Sequence, residues 1–131
     1  MVIDTSVLIA ILLKEPEALC FMRTIVDSEK RVLSAFSLLE ASLVILARKG
    51  EPGLAELNKL LQLIKVEIVA FDAQQAALAV SAWQQFGKGQ HAAKLNIGDC
   101  CVYALSRQLG EPLLFKGGDF AQTDLEKVDH G

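Results

Sequence analysis

The chain has 131 residues, the size of one domain with room for a sizeable hydrophobic core. An apolar share of 52% with 22% charged residues excludes disorder, and a net charge of −3 argues against a broad basic nucleic-acid-binding surface. The N-terminal apolar run, Val7 to Leu13, is far short of the roughly 20 residues that span a bilayer, and no basic stretch before it or cleavage pattern after it marks a signal peptide. The expectation is a soluble, cytoplasmic protein with no membrane contact, folded as a single domain over residues 1–131.

In chain order, Met1 to Asp4 reads as a strand and Thr5 to about Leu13 as a helix. Glu15-Pro16-Glu17 restarts a helix that runs to about Asp27, since Pro suits a first turn and acids favour that end. Arg31 to Ala35 is a short strand. A helix from Ser37 to Lys49 stops at Gly50, and another runs from Glu51-Pro52 to about Ile64. Lys65 to Phe71, with β-branched Val66, Ile68 and Val69, is a strand, and Ala73 to Phe86 a helix broken by Gly87-Lys88-Gly89. A helix from Ile97 ends at Gly110, Pro112 to Phe115 is a strand, Gly117-Gly118 a turn, and Glu126 to Asp129 a last edge strand. Strands alternating with helices imply parallel pairing through right-handed crossovers. Short apolar strands such as "MVI", "VEIVA" and "LLF" suit a sheet covered on both faces. The fold class is α/β, a three-layer α/β/α sandwich around a central parallel sheet.

Ligands of open parallel sheets bind beyond the carboxyl ends of the strands, where strand order reverses. Asp4 ends the first strand, Glu40 lies about one turn into the helix after the second, Asp99 starts a later helix, and Asp119 follows the Gly117-Gly118 turn. Each has a structural explanation. Asp4 can cap the next helix, Ser37-x-x-Glu40 reads as a capping box, Asn96-x-x-Asp99 as a close relative of one, and Asp119 as a turn residue. Four independent caps need not share one edge of a sheet, however, and carboxylates gathered there repel unless protonated or joined by a cation. Carboxylate oxygens without histidine or cysteine suit Mg²⁺ or Mn²⁺, and such sites serve mainly phosphate chemistry. The odd cysteine count (Cys20, Cys100 and Cys101) fits neither a disulfide framework nor a zinc site, so all three are expected to be buried thiols. His91 and His130 are expected to be solvated, and Trp83 and Phe86, three apart on a helix, to pack in the core.

With these residues in view, the chain resembles the PIN-domain ribonucleases, specifically the VapC toxins of bacterial toxin–antitoxin pairs. The resemblance covers nearly the whole length, through "MVIDTSVLIAILLKEPEA", "SLLEAS", "FGKGQHAAKLNIGDCCVYAL" and "EPLLFKGGDFAQTD". It implies a PIN-like fold and a Mg²⁺-dependent endoribonuclease, with Mn²⁺ as an alternative ion. Asp4, Glu40 and Asp99 match the family's metal-site acids, and Asp119 the fourth, in a turn that more usually reads "KGDDF"; here Gly118 replaces the first of that acidic pair. Ser6, in the "DTS" pattern, is implied to hydrogen-bond a carboxylate or a water of the site, and Asn96 to cap a helix and support the site.

The resemblance also implies a cognate VapB-type antitoxin laid over the apolar N-terminal helices, RNA as substrate, and a homodimer or a hetero-oligomer with the antitoxin. Lys88, His91, Lys94, Arg48, Lys49 and Lys116 are candidates for a phosphate-tracking rim, with solvated surface charge as the simpler reading. The competing readings are a PIN-fold binding module without chemistry and a phosphatase on a similar sheet. An aspartyl-nucleophile phosphatase would want a second Asp at position 6, where Ser6 stands, and a phosphorylated receiver would want an acidic pair that "MVIDTS" lacks.

Overall fold

In the computed structural model, which describes residues 1–87, 89, 91 and 94–130, four short strands form one parallel sheet. These are β1 (Val2–Ile3), β2 (Val32–Ser34), β3 (Glu67–Val69) and β4 (Leu113–Leu114), in the order β3-β2-β1-β4. Alternation along the strands divides the core in two. Ile3, Leu33 and Leu114 face one side, packed by α1 (Thr5–Leu12), α2 (Ala18–Asp27) and α3 (Ala35–Ile64). Val2, Val32 and Leu113 face the other, packed by α4 (Ala73–Phe86) and α5 (Ile97–Leu109). The expected three-layer sandwich is thus present. The chain builds outward from β1 through β2 to β3, then returns to place β4 on the other flank of β1, so strand order reverses between β1 and β4.

Several element boundaries differ from the sequence reading, each for a physical reason. The helix expected at Glu15 begins at Ala18, because the Glu15 and Glu17 carboxylates turn to Lys116 Nζ at 2.8 and 3.1 Å and do not cap. The third helix starts at Ala35, capped by Ser34, whose side chain accepts the Phe36 N–H at 3.1 Å; the Ser37–Glu40 capping box does not form. The strand expected over residues 65–71 shrinks to Glu67–Val69, since Lys65 takes a left-handed conformation to end α3 and β3 pairs with β2 alone. The expected C-terminal edge strand is only an isolated bridge, Lys127 against Leu113, with two backbone hydrogen bonds of 2.9 Å. The bounds of α4 and the start of α5 agree with the sequence reading. Among the described residues no helix is long and apolar enough to cross a membrane.

Two helices expected on either side of Gly50 are continuous in α3 apart from a kink at that residue, with φ 65° and ψ −158°. That combination is accessible almost solely to glycine. Gly50→Ala is therefore expected to destabilise the protein by about 1–3 kcal/mol, visible as a lowered urea midpoint with an unchanged slope; an unchanged midpoint would show that the kink carries no strain for a side chain.

Candidate active site

Asp4 leaves β1 at the reversal of strand order. Its N–H donates to the Leu114 carbonyl at 3.0 Å, which holds the ends of β1 and β4 side by side. Asp4 also caps α1 by accepting the Ser6 N–H at 3.1 Å, and the Ser6 hydroxyl donates to the same oxygen, Oδ2. The Ser6 Oγ in turn accepts the Lys116 N–H at 2.9 Å, from the residue that follows Phe115 beyond β4. The first acid is therefore fixed by its own helix and by the strand next to it, which is the carboxylate contact expected of Ser6.

Asp99 sits in the first turn of α5 in a reciprocal capping box. The Asn96 side chain accepts the Asp99 N–H at 2.9 Å, and Asp99 Oδ2 accepts the Asn96 N–H at 3.1 Å. The cap that Asn96-x-x-Asp99 suggests is real, and it leaves the other Asp99 oxygen outside the box. Glu40, freed from capping because Ser34 does that work, lies with its carboxylate against Gly98 of α5. Asp119 is exposed in the turn after β4. A side chain at Gly118 would meet nothing within 4 Å, so the turn is open where a second acid would stand.

Two of these carboxyls, Asp4 and Asp99, feel the charge of the other acids. Burial pushes the Asp4 carboxyl up, partly offset by its hydrogen bonds from Ser6, and repulsion from Glu40 and Asp119 pushes it further. Asp99 is pushed up to about 7, first by burial, against the hydrogen bond from Asn96, then by repulsion from Asp119, Asp4 and Glu40. Asp4 and Asp99 are thus each within electrostatic reach of Glu40 and Asp119. Among the described residues no three acid, histidine or cysteine side chains close around a single cation point. The hard carboxylate oxygens of Asp4 and Asp99 are the donor type that a divalent cation takes.

The surroundings correct other expectations. Lys116 is partly exposed and bridges Glu15 and Glu17, so its charge is already paired within the protein. Lys49 pairs with Glu56 at 2.8 Å, Arg48 and Lys94 are exposed, and Lys88 lies outside the described residues. His91 is exposed but stands edge-on to Phe86, and His130 is partly covered by the Phe21 ring. Cys100 and Cys101 are buried as expected, whereas Cys20 is exposed. Phe86 is in the core, but Trp83 is 44% exposed on the rim of an apolar groove of ≈ 430 Å³ shared with Phe36, Phe71, Val80 and Ile97. The periodicity of α4 could not reveal this, since the groove is made with residues of α3, α5 and the segment after β3.

A PIN domain family profile matches residues 1–126. A Mycolicibacterium smegmatis protein called ribonuclease VapC is 48% identical over 128 residues, covering 98% of this chain and 99% of the relative. Among solved structures, Mycobacterium tuberculosis VapC20, described as a sarcin-ricin loop cleaving toxin, superposes with a TM-score of 0.76 at 18% identity over 97% of both chains. VapBC2 from Rickettsia felis, solved bound to a DNA fragment from its promoter, superposes with a TM-score of 0.78 at 13% identity, over 98% of this chain and 96% of the other. Fold, acid placement and full-length relatedness agree: this chain belongs to the PIN domain family, among the VapC ribonucleases.

Proposed function

We propose that this protein is a divalent-metal-dependent endoribonuclease, the toxin of a VapBC-type toxin–antitoxin pair, working in the cytoplasm with Mg²⁺ as its ion and Mn²⁺ able to substitute. The observation that supports this reading is that Asp4, at the reversal of strand order, and Asp99 both feel the charge of Glu40 and Asp119, in a chain of this family. Buried, mutually repelling carboxylates are costly without a cation, and their hard oxygens select a hard one.

Asp4 and Asp99 would hold the ion, with Glu40 beside them and Asp119 at the exposed rim. When bound, the ion supplies an acidified water and neutralises charge that develops on the phosphodiester. Ser6 keeps Asp4 Oδ2 oriented, and the Asn96 box keeps Asp99 at the start of α5, where the helix dipole favours the ionised form. Glu40 and Asp119 would steer a second ion or the attacking water, whose proton passes to a carboxylate of the site. Attack in line with the 3′ oxygen forms the new P–O bond and breaks the P–O3′ bond, and the departing 3′ oxygen takes up a proton. The products carry a 5′-phosphate and a 3′-hydroxyl. The 2′-OH serves recognition only.

The partner is a VapB-type antitoxin. Leu19, 71% exposed, and Met22 line a surface groove with Ile11 and Ala18 where α1 turns into α2, an apolar strip for a partner's amphipathic segment. By contrast Val7, Leu8, Ala10 and Leu12 are buried in the protein's own core, so only part of the apolar N-terminal region is free to take such a segment.

Total RNA treated with purified protein across a Mg²⁺ titration, followed by sequencing of the new 5′ ends, tests the activity and identifies the target. Metal-dependent ends bearing 5′-phosphate are expected; no cleavage of any RNA with Mg²⁺ or Mn²⁺ overturns the proposal. Ser6→Ala, which removes the hydroxyl between the Lys116 N–H and Asp4, is expected to lower kcat by ~10–100-fold, the usual effect of losing a group that orients a metal-binding side chain. Unchanged kcat at saturating Mg²⁺ would show that the Ser6 N–H alone orients Asp4.

A further inference from the structure

We propose that Gly98 is a positioning residue for Glu40: the missing side chain at this turn of α5 lets the Glu40 carboxylate lie against the helix beside Asp99. The inference rests on the nuclease reading above and adds to it a residue outside the acidic set.

A Cβ built on Gly98 would stand 2.5 Å from Glu40 Oε2, 3.2 Å from its Cδ and 3.3 Å from Oε1. All three nearest atoms belong to one carboxyl group, so the Glu40 carboxylate is what a side chain at position 98 would meet first. Nothing in the backbone requires glycine here, since Gly98 lies within α5 and is not among the glycines with positive φ. Helix propensity favours alanine at such a position. Gly118, where a side chain meets nothing, shows the contrast. Glycine at position 98 thus runs against local helix preference, and the nearest group to the missing side chain is a candidate catalytic acid.

The two sides of that contact differ in stiffness. The first turn of α5 is held by the Asn96–Asp99 box and Gly98 is buried, whereas Glu40 presents the far end of a flexible side chain. A methyl group at position 98 therefore moves the carboxylate and leaves the helix in place. The carboxylate also loses its seat at the positive end of the α5 dipole.

The test compares wild type, Gly98→Ala, Glu40→Asp and the double variant by thermal unfolding, by Mn²⁺ affinity from electron paramagnetic resonance, and by kcat and KM on an RNA that wild type cleaves. Gly98→Ala is expected to unfold at or above the wild-type temperature, to bind Mn²⁺ several-fold more weakly because the Glu40 charge moves away from the ion, and to lose ~10–100-fold in kcat with KM little changed, as for other groups that orient the surroundings of a metal site. In the double variant the shorter acid gives room to the methyl group, so kcat should exceed that of Gly98→Ala. Wild-type kcat and Mn²⁺ affinity in Gly98→Ala would overturn the proposal. So would a double variant no better than Gly98→Ala, or a lowered unfolding temperature with unchanged Mn²⁺ affinity, which is the mark of simple packing. If wild type cleaves no RNA, the nuclease reading fails, and Mn²⁺ affinity still decides the role of Gly98 because it needs no turnover.

Discussion

Asp4→Asn is expected to lower RNA cleavage by at least ~10²–10³-fold, the range for removing one preorganised electrostatic group from an active site, while leaving the fold intact. The substitution separates the two roles of the side chain. As a cap, asparagine is as good as aspartate. Both hydrogen bonds from Ser6 converge on one carboxylate oxygen, Oδ2, so the single amide oxygen of asparagine can keep them both. What disappears is the negative charge, which burial and the repulsion of Glu40 and Asp119 already disfavour. Without metal, Asp4→Asn should therefore unfold at the same temperature as wild type or higher. Cleavage assays at saturating Mg²⁺, with thermal unfolding in EDTA, check both halves. Full activity in Asp4→Asn would remove Asp4 from the metal site, and a large loss of stability would make it chiefly a structural cap.

The second large effect is a dependence of stability on pH that a divalent cation counteracts. An aspartate in the unfolded chain loses its proton near the ordinary 3.8, whereas Asp99 in the folded protein holds its proton up to about 7. Between those values the folded state binds a proton that the unfolded state has lost, so raising the pH favours unfolding. Metal-free protein should become steadily less stable from about pH 4 to about pH 7 and change little from this group above that. Asp4, pushed in the same direction chiefly by burial, adds to the slope. A cation that binds only the folded, deprotonated site stabilises it by about 2.7 kcal/mol at a hundred times its Kd. The Mg²⁺ or Mn²⁺ increment in unfolding temperature should accordingly grow as pH rises. Unfolding temperatures in EDTA and in excess Mg²⁺ across this window, for wild type and Asp99→Asn, provide the check. The variant should show a flatter decline without metal and a smaller increment with it. Parallel curves for the two proteins would mean that Asp99 titrates normally and is not part of a cation site.

The most readable parts of the chain were those whose physics is local. The limits of α4 between Asp72 and Gly87, the Asn96–Asp99 box, and the short apolar strand leading to Asp4 all follow from residues a few positions apart. The role of Glu40 depends on a less local choice. Ser34 and Ser37 are both good caps within one turn, and Ser34 caps because the chain leaves β2 there and enters α3 directly. That choice frees Glu40 from the role its spacing suggested. Lys116 illustrates the same limit, since its partners Glu15 and Glu17 lie about a hundred positions away and meet it only where α1 and β4 leave the sheet at the same edge.

By itself, then, the sequence determined which acids the protein has, that each stands at the start of a helix, in its first turns or in a turn, and that the strands are parallel; β1, β2 and β4 are buried as expected, whereas the edge strand β3 is largely exposed. These are consequences of hydrophobic period, capping preference and turn chemistry over a few residues. Only the tertiary structure decided that Asp4 and Asp99 come within reach of the charges of Glu40 and Asp119, that Glu40 rests on the bare face of Gly98, and that Trp83 and Leu19 are surface residues. Those relations depend on sheet order and on which helix faces meet, and such contacts join residues too far apart in the chain for any local pattern to encode them.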